Sequence, residues 1–374
     1  MKLLQAFVVL SFLGTPSIVG AAPSKTLFFP RDPNPPPAAT HEIAQNFDSD
    51  EAFTGTGAWK ESPPPPRAAA TDGISHVVKR ADEPPTGSFN ITLPSEREFL
   101  LNVPAGYKHG EKHPLVFSFH GANGNKVTQE LITGLSDPSL RIANKPFLAV
   151  YGQGIANTTA DKTAAWLGAP YANTTVDDIA FVYDIIANIA STYNIDSSRI
   201  YASGKSNGGG FAALLACRND TSSLFAAFAP VSPALYEGTM AFHGCQTNRG
   251  VPILHSHGVE DQTCPFTGKT PEDGGSGPEE DVRIWRRQWA LRNGCVGNYP
   301  GQYPVPKVKQ VYDGVWEEVW DCPKGEVRAL SVEGLGHSWP TTEGLDLSGA
   351  PNQTATFNLT SPILVNFFSK HRLP

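Results

Sequence analysis

The chain has 374 residues, 40% hydrophobic and 17% charged, enough apolar residues for a sizeable core and too few charges for a disordered chain or a heptad coiled coil. Its 35 Gly and 33 Pro follow no three-residue period, which excludes collagen. With 29 Lys+Arg against 36 Asp+Glu the net charge is -7, so there is no basic field to neutralise phosphates and nucleic acid is excluded as a partner.

At the N-terminus, Lys2, an apolar run over residues 3–13 and the small residues Val19, Gly20, Ala21 and Ala22 predict a secretory signal peptide over residues 1–22. The run is too short to span a bilayer, and no other stretch reaches spanning length, so a secreted, extracellular protein without a membrane partner is expected. Residues 23–80 hold ten prolines, among them Pro35-Pro36-Pro37 and Pro63 to Pro66, and cannot bury enough surface to offset their ordering entropy. The segment ends at the dibasic pair Lys79-Arg80, which reads as a propeptide boundary, with a permanent N-terminal tail as the alternative. One α/β domain is expected over residues 81–374.

Within that domain the elements alternate. Residues 115–119 (LVFSF) form a continuous apolar run between Pro114 and His120-Gly121, the pattern of a strand buried on both faces. A similar strand follows at 147–151. Asp177-Asp178 start an amphipathic helix through Tyr193, with Ile179, Val182, Ile186 and Ile189 on one side. Then come a strand at 199–203, a helix at 209–217, strands at 225–231 and 251–255, a charged helix at 279–293, a strand at 327–332 and a closing helix at 362–370. Strands alternating with helices predict a mainly parallel sheet covered on both faces.

Gly204-Lys205-Ser206-Asn207-Gly208 is a G-x-S-x-G motif between a predicted strand and a predicted helix. In that context the turn exposes the serine Oγ as a nucleophile, and side chains at the two glycines would collide with neighbouring backbone. An α/β-hydrolase then places an acid and a histidine after the serine, in that order. Downstream histidines are His243, His255, His257, His337 and His371. His337, in the loop Gly334-Leu335-Gly336-His337-Ser338-Trp339-Pro340 directly after a strand, is the expected base; His255 lies inside a strand, and His257 is at most a supporting residue. Asp261, in the loop after the strand at 251–255, is the expected acid, with Glu260 its competitor and Asp273 a solvated residue.

The oxyanion of an acyl-transfer reaction needs two backbone N–H groups. One is expected from Asn207 and the other from His120-Gly121-Ala122-Asn123-Gly124, at Ala122 or, failing that, Gly121. Trp339 is either a core residue beneath the histidine loop or a wall of the cleft that stacks on an aromatic substrate. Five cysteines have spacings that suit no zinc site, so neither a metal nor another cofactor is expected. Cys217 ends one helix and Cys245 precedes the next strand; Cys295 and Cys322 repeat that relation, which predicts bridges Cys217–Cys245 and Cys295–Cys322 with Cys264 left over. Sequons for N-glycosylation occur at Asn90, Asn157, Asn173, Asn219, Asn352 and Asn358.

Taken in order, the segments 115–121, Asp177-Asp178, 199–209, His257-Gly258-Val259-Glu260-Asp261 and Gly336-His337-Ser338-Trp339-Pro340 resemble the fungal feruloyl esterases of carbohydrate esterase family 1. These belong with the poly(3-hydroxybutyrate) depolymerase-like and acetylxylan esterases. The resemblance covers roughly residues 86–374 and implies an α/β-hydrolase that cleaves ferulate esters on plant cell-wall polysaccharide, with Ser206, Asp261 and His337 as its triad. Esters of acetylated xylan and of aliphatic polyester are the alternatives within the group; a catalytically inactive binding glycoprotein is the alternative outside it. No separate carbohydrate-binding module is expected. Two departures stand out: a Gly-Cys pair near the mature N-terminus is missing, which implies why Cys264 lacks a partner, and Lys205 replaces a more usual apolar residue, which implies a changed pocket rim.

Overall fold

The computed structural model describes residues 84–157, 163–241, 244–299 and 301–374. The signal peptide and Pro-rich segment expected over residues 1–80 lie outside the described residues. The strands are β1 (Gly87–Thr92), β2 (Glu98–Val103), β3 (His113–Phe119), β4 (Leu148–Gly152), the short pair β5 (Ile155–Ala156) and β6 (Ala164–Ala165), β7 (Ile195–Lys205), β8 (Ala227–Val231), β9 (Ile253–Gly258), β10 (Lys307–Tyr312), β11 (Val315–Trp320) and β12 (Val327–Val332). All but β5 and β6 join one ten-stranded sheet in the order β1-β2-β4-β3-β7-β8-β9-β12-β11-β10. The central six, from β4 to β12, run parallel. Antiparallel pairs close each side.

Every residue of β3, β4 and β8 is buried, because helices cover both faces of the parallel centre; their sequences therefore run apolar without alternation. Side chains still alternate between two cores. Leu115, Phe117 and Phe119 of β3 join one core with α2 (Asp178–Ala190), α3 (Asn207–Cys217) and α5 (Val282–Arg292). Val116 faces the other, with Ile132 of α1 (Lys126–Thr133) and Val365, Phe367 and Phe368 of α6 (Val365–Lys370). A short helix, α4 (Asn219–Ser222), follows α3. Among the described residues no helix is long and apolar enough to cross a membrane.

Local chemistry sets the helix starts. Asp177 caps α2 by accepting the Ala180 N–H at 2.8 Å. Asp281 caps α5 through the Arg283 N–H, so that helix begins at Val282 rather than near residue 279. Glu279 is instead held in a two-way backbone pairing with Lys269. The strand expected at 251–255 runs three residues further, to Gly258, and takes His257 into the sheet. Pro362 lies in an irregular turn in which Ser361 has φ -129° and ψ 127°, so the last regular helix starts only at Val365. Both expected bridges are present, Cys217–Cys245 and Cys295–Cys322, and Cys264 is free and buried.

Candidate active site

The C-terminal ends of the parallel strands share one edge of the sheet, and the loops that leave them there carry the predicted site residues. Ser206 follows β7 and opens α3 with φ 59° and ψ -125°, a conformation costly for any residue with a Cβ. The turn is tied down on both sides. The Ser206 N–H donates to the Val231 carbonyl at 3.0 Å, and the Ser206 carbonyl accepts from Gly210 at 2.9 Å and Ala234 at 3.0 Å. A Cβ at Gly204 would lie 2.2 Å from the Gly208 carbonyl oxygen, and one at Gly208 2.2 Å from that of Phe119. The close approach of backbone to backbone thus requires glycine at both motif positions.

Asp261 and His337 come together from the loops after β9 and β12. His337 Nδ1 donates to Asp261 Oδ2 at 2.7 Å, with both side chains buried. The second carboxylate oxygen accepts the N–H groups of Thr263 at 2.9 Å and Cys264 at 2.8 Å. His257 Nε2 lies 3.3 Å from Oδ2 and 2.8 Å from the Cys264 carbonyl oxygen, so its proton is shared between the two acceptors. Burial alone would raise the Asp261 pKa; the hydrogen bonds from His257 and His337 outweigh it and hold the carboxyl well below the usual range. Burial, with the Lys205 charge next, lowers the His337 pKa against the opposing pull of Asp261. Glu260 is exposed, and Asp273 folds back onto Thr270. Neither competes with Asp261. His255 is buried in β9 and accepts from Arg286 Nε at 2.9 Å, the structural role expected of it.

Lys205, expected at the pocket rim, is buried at 3% exposure. Its ammonium reaches Asp346 Oδ2 at 3.2 Å and Ser348 Oγ at 2.5 Å.

Beside Ser206, Asn207 is the first residue of α3, where backbone N–H groups have no acceptor within the helix. Its side chain is used for support: Oδ1 accepts the Trp166 N–H at 2.8 Å and Nδ2 donates to the Trp166 carbonyl at 3.2 Å. The loop after β3 presses on Ser206, since a Cβ at Gly121 would lie 3.1 Å from the Ser206 Cβ. His120 Nδ1 donates to the Gly121 carbonyl at 2.7 Å, and Nε2 accepts the Gly154 N–H at 2.9 Å. Burial lowers the His120 pKa to about 4, so the ring is neutral and its tautomer set by those two contacts. With the Gly121 carbonyl held toward His120, the trans peptide directs the Ala122 N–H the opposite way. Trp166 completes the support by donating Nε1–H to the His120 carbonyl at 2.9 Å. Trp166 is not legible as part of the site from motif reading; there His120 reads only as the first residue of the glycine-rich loop, not as its support.

Ser206 opens onto a cleft of about 300 Å³ that Ala122, Tyr171, Tyr236, Thr263 and Cys264 also line. Tyr171 and Tyr236 meet edge to face, with ring centroids 5.9 Å apart. Burial pushes the Tyr236 phenol up to about 12. Burial, followed by the Glu279 carboxylate, also pushes up the Cys264 thiol and keeps it protonated. Trp339 does not line this cleft. It is 0% exposed, packs in the core shared with α6, and donates Nε1–H to Thr360 Oγ1 at 3.2 Å. The cleft-wall role expected of Trp339 is therefore corrected to the core role; two residues beyond His337 the chain has already turned into the interior.

The sequons differ in exposure. Asn90, Asn219, Asn352 and Asn358 are exposed, whereas Asn157 and Asn173 are half-buried.

A mainly parallel sheet, a strained serine between strand and helix, and a histidine–aspartate pair on the same edge define an α/β-hydrolase with the layout of a serine hydrolase. Residues 98–245 match the family model described as "Esterase PHB depolymerase", a span that takes in the loop after β3 and the turn at Ser206. Among curated proteins, the chain is 28% identical over 209 residues to a probable feruloyl esterase C of Aspergillus flavus, covering 56% of this chain and 66% of that protein. It is 25% identical over 246 residues to feruloyl esterase B of Piromyces equi, covering 65% of this chain and 42% of the relative. Among solved structures it is similar to an acetyl xylan esterase from Aspergillus awamori, at 15% identity and a TM-score of 0.45, covering 67% of this chain and 94% of that one. The resemblance read from the motifs is borne out by the two feruloyl esterase sequences, although the chain spans only about two thirds of the first and less than half of the second.

Proposed function

We propose that the protein is a secreted serine esterase that hydrolyses hydroxycinnamoyl esters on plant cell-wall polysaccharide through an acyl-enzyme. The observation that carries the reading is the 2.7 Å hydrogen bond between His337 Nδ1 and Asp261 Oδ2 on the sheet edge where Ser206 opens into a cleft walled by tyrosines. Sequence relatives named as feruloyl esterases support the choice of acyl group.

In this mechanism the Ser206 Oγ attacks the ester carbonyl carbon while its proton passes to His337 Nε2. Asp261 holds Nδ1–H and stabilises the imidazolium. The tetrahedral oxyanion accepts hydrogen bonds from the N–H groups of Asn207 and Ala122. Collapse breaks the bond to the alcohol, which leaves with the proton from His337. Water then attacks the acyl-enzyme while His337 takes its proton; collapse breaks the bond to Ser206 Oγ, which takes that proton back from His337 as the acid is released. Tyr171 and Tyr236 present a T-shaped pair against which a phenolic ring can pack.

The test has two arms. A fluorophosphonate probe should label the wild-type chain and not Ser206→Ala; absence of labelling would turn the reading toward an inactive binding glycoprotein. Methyl ferulate, 4-nitrophenyl acetate and hydroxybutyrate oligomers, assayed side by side, should rank in that order of kcat/KM. A preference for acetate or for the oligomers would move the assignment to an acetylxylan esterase or a polyester depolymerase.

A further inference from the structure

Lys205 and Asp346 are the unusual pair in this site. Lys205 is the residue just before the nucleophile, and its ammonium is buried with the Asp346 carboxylate, at side-chain exposures of 4% and 6%. Replacing a buried ion pair with apolar side chains is often neutral or stabilising, so stability alone gives no reason to put charges here. The contacts of Asp346 suggest another. Its Oδ2 accepts both the Lys205 ammonium at 3.2 Å and the N–H of Trp339 at 3.0 Å, two residues beyond His337. Its Oδ1 accepts the Ser348 hydroxyl at 2.6 Å and the Ser348 N–H at 3.2 Å, and that hydroxyl is itself 2.5 Å from the Lys205 ammonium. The result is a closed set of contacts running from the nucleophile turn, through one carboxylate, into the loop that carries the imidazole.

We propose that Lys205 and Asp346 are positioning residues for His337: they fasten the histidine loop to the nucleophile turn and set a fixed positive charge beside the ring. The proposal rests on the esterase reading and adds a control of its base. His337 is faced by the Asp261 carboxylate and the His257 ring from β9 and its loop, and by Lys205 from the end of β7. Of these charges, Asp261 favours the imidazolium and Lys205 opposes it. Asp346, within the histidine loop, tempers the ammonium, and Lys205 in turn helps hold the Asp346 carboxyl below the usual range against the effect of burial. The pair therefore keeps the ring available as a proton acceptor to lower pH than the Asp261–His337 couple alone would.

The experiment compares Lys205→Met with Asp346→Asn. Methionine keeps the length of the side chain and removes its charge; asparagine keeps an acceptor for the Trp339 N–H and removes the opposite charge. Two quantities are read: the titration of the His337 ring by NMR, and the acid limb of kcat/KM against pH for 4-nitrophenyl acetate. Lys205→Met should move both to higher pH, and Asp346→Asn, which leaves the ammonium unopposed, should move both to lower pH. In each variant kcat should fall about 10- to 100-fold, with KM changed much less, as for a misplaced catalytic group. Shifts in the same direction, unmoved titrations, or an unchanged kcat in both variants overturn the proposal. If Lys205→Met fails to fold, the Asp346→Asn shift decides alone: downward supports the pair, and no shift or an upward one overturns it. An inactive wild-type chain would sink the esterase reading, while the NMR titration would still decide the pair.

Discussion

Asp261 and His337 lie 76 positions apart in the chain and meet at 2.7 Å in the buried floor of the site. Two loops, after β9 and β12, make that meeting, and Gly258 permits it: a Cβ there would stand 2.3 Å from the carbonyl oxygens of both Leu335 and Gly336. The two strands pair in parallel register from Ile253 with Val327 to Gly258 with Val332, so their loops leave the sheet side by side.

From that geometry Ser206→Ala should lower kcat by about 10⁴- to 10⁶-fold, and Asp261→Asn by about 10⁴-fold through loss of the correct imidazole tautomer. Glu260→Gln should leave turnover near wild type. The comparison is made with one chromogenic ester and matched circular dichroism spectra. Near-normal turnover in Asp261→Asn together with a collapse in Glu260→Gln would reverse the assignment of the acid.

Much of this site was readable before the structure because its chemistry is local in the chain. The strand–turn–helix around Ser206 is spelled out by an apolar run, a glycine pair and another apolar run, and Asp261 and His337 sit just past buried strands. The flanking strands β1, β2, β10 and β11 were not read. β1 and β10 lie on the sheet edges with exposed residues in place of an apolar run; Lys307 and Lys309 of β10 face water, which also protects that edge from further pairing. The helix α1 was missed as well, because only Gln129, Ile132 and Thr133 of its eight residues are buried. Long-range polar links such as Lys205 with Asp346 leave no local pattern, and the sequence shows only an unexpected lysine.

The buried histidines make stability depend on pH. His120 has a folded pKa near 4 against about 6.5 when unfolded, so the unfolded chain binds more protons between those values. Its contribution is fully present above pH 6.5 and is lost as pH falls toward 4, on the order of 3 kcal/mol. His255 and His337 are also held low by burial and act in the same direction. Urea midpoints should therefore fall between pH 7 and pH 4, and His120→Asn should flatten part of that fall. Parallel curves for the variant and the wild type would show that another group is responsible.

Each bridge closes a local connection, Cys217–Cys245 with a separation of 28 residues and Cys295–Cys322 with 27. Loop entropy assigns each about 3 to 4 kcal/mol. Replacing Cys295 and Cys322 together with serine should lower the urea midpoint by a corresponding amount without changing the cleft, so KM should hold. Peptide maps made without reduction should find Cys264 as the free thiol; a bridge from Cys264 to any of the other four would contradict the pairing.

Glycan occupancy should follow the availability of the asparagine nitrogen. Asn157 and Asn173 commit Nδ2 to the carbonyls of Ala172 and Ala156, and Asn352 commits its own to that of Gly334. Asn90, Asn219 and Asn358 are exposed and are the expected acceptors. Glycopeptide mapping of protein made in a secreting eukaryotic host should find those three occupied and Asn157, Asn173 and Asn352 empty. The reverse pattern would mean that glycans are added before these contacts form.

Trp339 and Tyr236 make the last test, because they exchange the roles that an aromatic close to His337 in the sequence invites. Trp339 is fully buried among Leu364, Phe367 and their neighbours, so Trp339→Ala should cost about 3 to 5 kcal/mol of stability, and activity should fall alike on aryl and acetyl esters. Tyr236 lines the cleft with Ser206 and meets Tyr171 edge to face. An aromatic contact is worth about 0.5 to 1.5 kcal/mol beyond burial, so Tyr236→Leu should lower kcat/KM on methyl ferulate about two- to tenfold relative to 4-nitrophenyl acetate. The melting temperature recorded with each assay separates the two effects. An equal loss on both esters in Tyr236→Leu would remove the tyrosine wall from the acyl site and, with it, the main structural reason for preferring an aromatic acyl group to acetate.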